Sequence, residues 1–298
     1  MPSKVATRKS PEERRAQAEA LQASIAEQVE ELRDSEAWIR FLQFAQSFHR
    51  YSLSNVLLIL SQRPTATRVA GFRQWQAKGR QVRKGEHAIR IFGFAQKKTT
   101  DEDDQAEQAQ TDDAGQKLRT YYPMRSVFDM GQTDPIDPDD PADIAHRLTG
   151  DDPLGILASV TDYLTAQGWT VEREPIDGET NGYTTTDGTQ RVVIDSGLTP
   201  AQAAKTALHE AAHVLLHTGE DRVEHVEHRG IKETEAESVA YVVAGILGLD
   251  TSRYSIGYVA GWSDGDTETI KATAARVLRA AHTLTDAITE PEHAAAAA

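Results

Sequence analysis

The spacing of hydrophobic and polar positions predicts that the chain begins with helices. Ser10 and Glu13 fit a capping box, in which each side chain accepts a hydrogen bond from the other residue's backbone amide. A long polar helix to about residue 33 is expected to follow. Hydrophobic residues then recur at helical spacing, which predicts two further helices over residues 35–48 and 54–60.

The pattern changes after residue 68, where glycines interrupt it and hydrophobic residues begin to alternate with polar ones. A short helix is expected at residues 72–77, and strands at 88–94 and 118–130. Between those strands, residues 99–116 contain seven acidic residues and no aromatic or branched aliphatic residue. Because such a segment cannot bury enough apolar surface to order itself, we expect an acidic disordered insert.

The chain as a whole is predicted to be α+β, with two domains. The first, a small α+β domain, is expected at residues 1–133, and a linker with three prolines at 134–150 separates it from a second domain at 151–290 and a tail at 291–298. The second domain combines a small sheet with several helices. Its expected strands are 170–174, 182–184 and 191–195, the last two joined by a hairpin turn at Asp187-Gly188, and its expected helices are 154–168, 199–219, 233–247 and 267–288.

Composition narrows the classes of function. The chain of 298 residues has no cysteine, which excludes disulfides, cysteine-ligated zinc, iron–sulfur clusters and thiol nucleophiles. Its longest apolar run, residues 239–249, is too short to span a bilayer, and the charged N-terminus lacks the apolar stretch of a signal peptide. We therefore expect a cytoplasmic protein with no membrane partner.

The net charge of −14 conceals a basic segment. Residues 63–98 contain ten Lys or Arg and one acid, a net +9, whereas the other 262 residues carry 22 bases and 45 acids, a net −23. Such asymmetry indicates a polyanion-binding module. Aromatic residues interleaved with the bases are typical of single-stranded nucleic-acid binding, in which rings stack on bases and cations contact phosphates.

The segment offers candidates for both kinds of contact. Tyr51, Phe72 and Trp75 are candidate base-stacking residues. The candidate phosphate contacts are Arg73, Lys78, Arg80, Arg83 and Lys84. For each aromatic residue taken alone, a place in the hydrophobic core is the alternative interpretation, and for the charges the alternative is a solvated face.

A metal-binding motif lies in the second domain. Residues 209–213 read HEAAH, and residues four apart on a helix face the same side, so His209 and His213 can bind one Zn²⁺. Zinc would lower the pKa of a bound water towards 7, and Glu210 could take its proton as a general base. The rest of the helix is nearly apolar, which favours a buried metal site over a solvated polar face.

Spacing leaves several candidates for the third metal ligand. His217 is about 12 Å along the helix axis from His209, too far to share one ion, and its alternative role is to complement the helix dipole. Glu233 and Glu237 lie four apart on one side of the next predicted helix, and Glu235 lies on the opposite flank. Four residues of the intervening loop are further candidates, more simply read as solvated charge: Glu224, His225, Glu227 and His228.

At these residues the chain resembles thermolysin-like peptidases, the gluzincins. HExxH followed 20 residues later by a glutamate and a second carboxylate implies Glu233 as the third zinc ligand and Glu237 as the carboxylate that orients a ligand histidine. Gluzincins usually have Asp at the position of Glu237. The ExEA sequence also resembles ImmA/IrrE-type peptidases, which keeps Glu235 as an alternative ligand. In such folds an edge strand pairs with the substrate, a role expected for residues 191–195, and Tyr254 or Tyr258 could stabilise the oxyanion or simply pack.

Three longer motifs lie in the first domain. Residues 51–62 match YSxxNxLLIxxQ, residues 71–86 match GFxxWxxxGRxVxKGE, and residues 127–133 match VFDxxQT. They resemble the N-terminal domain of ArdC-like antirestriction proteins, and with the peptidase half the resemblance spans about residues 10–260. It implies a single-stranded-DNA-binding domain, with Asn55 among the DNA contacts, joined to a zinc metallopeptidase-like domain. Such proteins are commonly carried by conjugative plasmids and phages.

Three functions are consistent with these features. The leading hypothesis is an antirestriction protein that binds single-stranded DNA and cleaves a protein substrate, such as a restriction or DNA-associated protein, with zinc held by His209, His213 and Glu233. The second is a non-catalytic protein with a structural zinc that coats DNA or occupies a nuclease. The third is a regulatory peptidase that cleaves a repressor.

Overall fold

The computed structural model describes residues 10–98, 109–111, 117–136, 152, 155–178, 180–218, 229–249 and 267–289. The chain divides into two compact units. Unit 1 comprises Met1–Gln28 and Leu57–Pro141, and unit 2 comprises Val29–Val56 and Ala142–Ala298. Of the sequence-based expectations, those for the loop 224–228, for Tyr254 and Tyr258 and for the tail 291–298 lie outside the described residues.

The described helices are α1 (Pro11–Glu31), α2 (Ser35–Phe48), α3 (Leu53–Gln62), α4 (Phe72–Ala77), α5 (Ile156–Ala166), α6 (Pro200–His217), α7 (Arg229–Ile246) and α8 (Thr267–Thr289). The described strands are β1 (Val69–Ala70), β2 (Arg80–Val82), β3 (Ile89–Phe92), β4 (Ala95–Lys98), β5 (Ala109–Thr111), β6 (Lys117–Tyr121), β7 (Met124–Asp129), β8 (Thr133–Pro135), β9 (Thr170–Glu174), β10 (Gly182–Thr184) and β11 (Arg191–Asp195). The predicted α+β class is confirmed. None of the helices in the described ranges combines the length and apolar composition needed to cross a membrane.

Several helix starts follow the predicted capping chemistry. Glu13 Oε2 accepts from the Ser10 amide at 2.7 Å, and Ser10 Oγ accepts from the Glu13 amide at 3.0 Å, which confirms the capping box. Helix α6 begins with Thr199 as N-cap and a proline at its first position. Helix α7 begins at Arg229, four residues before the predicted start at 233.

Unit 1 is built from short antiparallel ladders. Strand β7 lies between β1 and β3, β2 pairs with β8, and β6 lies between β4 and β5. Trp75 of α4 is 1% exposed and packs against Ala70 and Val82, with Phe128 and Met130 alongside. Its indole Nε1 donates to the Phe128 carbonyl at 2.8 Å, so the ring is anchored at both its apolar and its polar side.

A largely buried network of hydrogen bonds joins separate segments of unit 1. The Asp129 carboxylate, 3% exposed, accepts hydrogen bonds from the backbone amides of Thr67, Arg68 and Gly131. The Gln132 amide donates to Glu86 Oε2 at 2.9 Å. Glu86 belongs to the motif at 71–86, and Asp129 and Gln132 belong to the motif at 127–133, so part of each motif maintains the fold.

Two predictions for this unit are wrong. The acidic insert 99–116 is not wholly without structure, because β5 inside it pairs with the edge offered by β6. The linker does not begin at residue 134, because β8 pairs with β2, where Arg80 stands opposite Pro135 in register.

Unit 2 combines helices α2, α5, α6, α7 and α8 with a three-stranded sheet in the order β10-β11-β9. β9 and β11 are parallel, and β10 and β11 form the predicted antiparallel hairpin, with Gly188 in its connecting turn at φ +87°. The prediction that residues 191–195 form an edge strand is wrong. Strand β11 is central because its apolar residues Val192, Val193 and Ile194 are fully buried, and β10 instead lies at the edge.

The predicted first domain does not coincide with a compact unit, because the segment Val29–Val56 packs with unit 2. Trp38 of α2 is fully buried, and its Nε1 donates to Ser238 Oγ of α7 at 3.0 Å. Burial of a large aromatic side chain with its polar atom satisfied makes α2 an integral part of the second core.

Candidate metal centre

Helix α6 presents two histidines on one face. His209 and His213 are one turn apart, and their Nε2 atoms lie 3.1 Å from each other. Their side chains are 21% and 14% exposed, so both rings are largely shielded from water. Alanines at 203, 204, 207, 211 and 212 are almost completely buried, which lets α6 pack closely within unit 2 while the imidazoles occupy its remaining face.

Helix α7 adds a carboxylate to this pair. Glu233 Oε2 lies 3.5 Å from His209 Nε2 and 3.7 Å from His213 Nε2. One ligand atom from each residue falls within 4.8 Å of the others, so the three could hold one metal ion. The Glu233 side chain is 53% exposed, which leaves the cluster open to solvent on that side. An open coordination position is a feature of catalytic rather than structural metal sites.

The electrostatics of this cluster favour a bound cation. Burial alone would lower the pKa of His209, but hydrogen bonds to Glu233 and Glu237 outweigh it and raise the pKa to about 9. The pKa of Glu233 is lowered well below its usual range by its hydrogen bonds to His209 and His213. The proton on His209 compensates these carboxylates, and a metal ion would replace that proton.

The second nitrogen of His209 is held by a carboxylate. His209 Nδ1 donates to Glu237 Oε2 at 3.1 Å, and Lys205 Nζ lies 3.2 Å from Glu237 Oε1. Burial would raise the pKa of Glu237, but the hydrogen bond from His209 and the charge of Lys205 outweigh it and lower that pKa. A proton on Nδ1 leaves the Nε2 lone pair of His209 for a metal.

His213 is held differently, by a chain of three side chains. Its Nδ1 lies 3.0 Å from His217 Nδ1, and His217 Nε2 donates to Glu235 Oε2 at 2.9 Å. Glu235 Oε1 accepts from Arg276 Nε at 2.8 Å and also from Nη2. Because the carboxylate can only accept, a neutral His217 carries its proton on Nε2 and accepts through Nδ1. His213 therefore donates from Nδ1 and, like His209, presents the lone pair of Nε2.

This arrangement separates the two carboxylates that spacing left as alternatives. Glu235 is 2% exposed and is occupied by His217 and Arg276, so the structure does not bring it to the His209 and His213 Nε2 atoms. Burial would raise the pKa of Glu235, but its hydrogen bonds to His217 and Arg276 outweigh it and lower that pKa.

Glu210 faces the edge strand of the sheet. It is 5% exposed, and its Oε2 accepts from Thr184 Oγ1 of β10 at 2.7 Å. The strand lies close to α6 because residue 182 is glycine: a Cβ there would lie 2.6 Å from Thr206 Cγ2. The close approach of β10 thus brings Thr184 to the carboxylate that follows His209.

The candidate DNA contacts fall into three groups. Trp75 is a core residue rather than an exposed ring, because it fills the apolar centre of unit 1. Tyr51 and Asn55 are half-buried and belong to unit 2. Phe72 is 44% exposed, and its ring contacts Phe128 edge-on at 6.4 Å between centroids.

The basic candidates fall into two groups, those paired with other residues of unit 1 and the remainder. Arg80 donates to Thr133 Oγ1 at 2.8 Å, and Arg83 contacts Glu86 at 3.0 Å and Asp134 at 3.1 Å. The hydrogen bonds to Asp134 and Glu86 raise the pKa of Arg83 above its ordinary value. Both guanidinium groups therefore have partners within unit 1. Arg73, Lys78, Arg83 and Lys84 are exposed, and of these four only Arg83 has an ion pair among the described residues.

Sequence reasoning missed three residues of the metal centre. The spacing of His213 and His217 on one helix face was a usable signal that the second could support the first. Thr184 and Arg276 carried no such signal, because each reaches the site only through tertiary packing.

Comparison with known protein families finds two matching domains, one in each half of the chain. Residues 15–128 match the N-terminal domain of anti-restriction factor ArdC. Residues 164–272 match the IrrE N-terminal-like domain, a peptidase family M78 domain, and this range contains the whole cluster from His209 to Glu237.

Individual relatives are more distant. An uncharacterized protein of Bacillus anthracis is 29% identical over 257 residues, which is 76% of this chain and 43% of that relative, so the chain spans less than half of its length. Crystal structures of the antirestriction ArdC protein from plasmid R388, metal-free and Mn(II)-bound, are each 20% identical to this chain. The match to the metal-free structure covers 79% of this chain and 84% of that protein, with a TM-score of 0.49. The match to the Mn(II)-bound structure covers 80% of this chain and 88% of that protein, with a TM-score of 0.46. The two family matches show that this chain joins an ArdC-type antirestriction N-terminal domain to an IrrE-like domain of the M78 peptidase family.

Proposed function

We propose that the protein is a zinc-dependent peptidase with antirestriction function, in which His209, His213 and Glu233 hold the metal. The convergence of their ligand atoms within 4.8 Å, beside the buried carboxylate of Glu210, is the observation that carries this proposal. Two imidazoles and one carboxylate are a donor set that suits Zn²⁺ in catalytic sites. A bound Zn²⁺ supplies a Lewis acid that polarises a peptide carbonyl and activates water.

The residues around the ligands have separate tasks. Glu210 is the general base that accepts a proton from the attacking water and passes it to the leaving amine. Thr184 positions this base through its 2.7 Å hydrogen bond. Glu237 fixes the ring of His209, and His217 fixes the ring of His213.

The substrate is a protein segment in an extended conformation. In the described part of unit 2, β10 pairs with β11 on one side and has no strand on the other. A peptide could add to this open edge through main-chain hydrogen bonds, and it would then pass Thr184 and the carboxylate of Glu210. A restriction or DNA-associated protein in the cytoplasm fits both the antirestriction N-terminal domain and this binding mode.

The catalytic proposal is tested by metal analysis together with Glu210→Gln. The purified protein should contain about one zinc per chain, and Glu210→Gln should keep the metal while losing cleavage of a peptide library mapped by mass spectrometry, with and without single-stranded DNA. Glu268→Gln, at an exposed site on α8, is the matched control. Equal cleavage by Glu210→Gln and wild type would refute the mechanism. Full antirestriction by Glu210→Gln in cells would instead favour the non-catalytic alternative.

We further propose that unit 1 binds single-stranded DNA. The ArdC-type domain match and the net +9 of residues 63–98 support this, and the phosphate contacts we propose are Arg73, Lys78 and Lys84, which are exposed and have no ion pair among the described residues. Reversing the charge of Lys78 and Lys84 should weaken binding of single-stranded DNA and flatten its dependence on salt. Arg279→Glu, an exposed site in unit 2, is the control, and no difference between the variants in a titration would contradict this assignment.

A further inference from the structure

Three large aromatic side chains of unit 1 are exposed near the turn that follows β6. Phe94 is 63% exposed, Tyr122 is 65% exposed and Tyr121 is 47% exposed. The rings of Phe94 and Tyr122 contact each other edge-on, with centroids 6.3 Å apart and planes 66° apart. Residues of this size are normally covered, so a pair of contacting rings in solvent indicates a surface that binds something.

An arginine lies beside this aromatic pair. A Cβ on Gly93 would lie 2.6 Å from Arg125 Cγ and 3.0 Å from its Nε, so the Arg125 side chain crosses the backbone immediately before Phe94. A side chain at position 93 would have to displace Arg125 from this position. Arg125 is exposed and has no acidic partner among the residues the structure describes, in contrast to Arg83.

The ladder next to the rings is rich in basic residues. Tyr121 ends β6 and stands opposite Ala95, and two positions further along the ladder Lys97 stands opposite Arg119. With Lys98 and Lys117, the paired strands β4 and β6 carry four basic residues and no acidic one. A ligand that meets both the rings and the Arg125 guanidinium is therefore an anion with flat apolar groups.

We propose that Phe94 and Tyr122 form a base-stacking site for single-stranded DNA, with Arg125 contacting an adjacent phosphate. This inference rests on the proposed DNA binding of unit 1 and supplies the aromatic contacts that buried Trp75 does not. Stacking on aromatic rings tolerates any base sequence, and interleaved cations hold the backbone between stacked bases. The site therefore takes single strands without a sequence requirement and does not accommodate paired duplex bases.

The test is a fluorescence-anisotropy titration of the full-length protein with labelled oligodeoxythymidylate at several salt concentrations. Phe94→Leu, Tyr122→Leu and their double variant remove the rings but keep apolar side chains, and Tyr183→Leu, an aromatic residue of unit 2 that is 41% exposed, is the matched control. Each ring variant should weaken binding roughly 5- to 150-fold, the range for one stacked base, without changing the salt slope. Arg125→Ala should reduce the salt slope by about 0.7, which corresponds to one lost phosphate contact.

An abasic strand of the same length separates stacking from charge. The ring variants should bind it as tightly as wild type, because it has no bases to stack. If wild type binds oligodeoxythymidylate and the ring variants bind it with the same affinity, the stacking site is overturned. The proposed DNA binding by unit 1 would then still stand. No binding by wild type at low salt would overturn the proposed DNA binding itself. A ring-dependent change of sedimentation coefficient without DNA would show instead that the rings contact a second copy of the chain.

Discussion

The chain of hydrogen bonds behind His213 gives a quantitative prediction for metal affinity. His217 is 4% exposed and lies between His213 Nδ1 at 3.0 Å and Glu235 Oε2 at 2.9 Å. In His217→Phe a planar side chain of similar size replaces the imidazole, so both hydrogen bonds are lost while the packing is largely retained. Loss of the partner of a metal-bound histidine typically weakens metal binding 10- to 100-fold, or about 1.4–2.7 kcal/mol.

The structure also limits how much His217→Phe should lower the free energy of unfolding. Glu235 keeps Arg276 as a partner in His217→Phe, so its buried charge remains compensated. The His213 Nδ1 proton and one Glu235 oxygen lose a partner, which together cost about 1–3 kcal/mol of unfolding free energy. A Gln at position 217 can donate and accept at once, so His217→Gln should recover part of the lost affinity.

The assay is zinc affinity measured by competition with a chromophoric chelator, combined with thermal unfolding of the metal-free protein. The Co²⁺-substituted absorption spectrum reports the geometry around the ligands, which a purely structural role of His217 would leave unchanged. The matched control is His282→Phe, an exposed histidine paired with Asp286 outside the site. Zinc affinity of His217→Phe within twofold of wild type, with an unaltered Co²⁺ spectrum, would refute the argument that His217 orients His213.

Three further predictions concern the groups around the metal centre. Thr184→Val should lower peptidase turnover by about tenfold or more, because Glu210 loses the hydrogen bond that positions its carboxylate. Zinc content should change little, and Thr184→Ser, which keeps the hydroxyl, should restore activity. In the metal-free protein, the pKa of His209, raised from 6.5 to about 9, should stabilise the fold by at most about 3 kcal/mol. That stabilisation is complete below pH 6.5 and is lost as the pH rises through 9, so a urea titration showing rising stability over this interval would contradict it. Gly182→Ala should destabilise unit 2 by about 1–3 kcal/mol, seen as a lower midpoint in urea, because the new Cβ would lie 2.6 Å from Thr206 Cγ2.

The features that depend on local geometry were predictable from the sequence. A helix places residues four apart on one face whatever it packs against, so HEAAH was enough to pair His209 with His213. The capping pattern at Thr199 and the glycine turn at residue 188 have the same local origin.

Features that depend on distant partners were not predictable in this way. Arg83 lies in a basic stretch, and although its partner Glu86 is only three positions away, its second acidic partner, Asp134, is 51 positions away with no local pattern to connect them. Strand β11 has the composition of a strand, but its central place depends on the parallel strand β9, whose residues pair with residues 21 positions later in the chain. A basic or apolar segment therefore identifies a candidate surface or core, and only the tertiary structure shows which of its side chains are free.

The choice between Glu233 and Glu235 shows how burial resolves what spacing cannot. Two residues apart on a helix point in nearly opposite directions, so spacing from HEAAH permits either as ligand until the packing of α7 on α6 is known. A ligand at an open catalytic site needs access to solvent, and Glu233 is 53% exposed. Glu235 is 2% exposed and lies against Arg276, because a buried carboxylate requires a permanent counter-charge. Glu235, whose compensating cation Arg276 belongs to the protein, is therefore expected to support the site, and Glu233 is the carboxylate that we propose as the metal ligand.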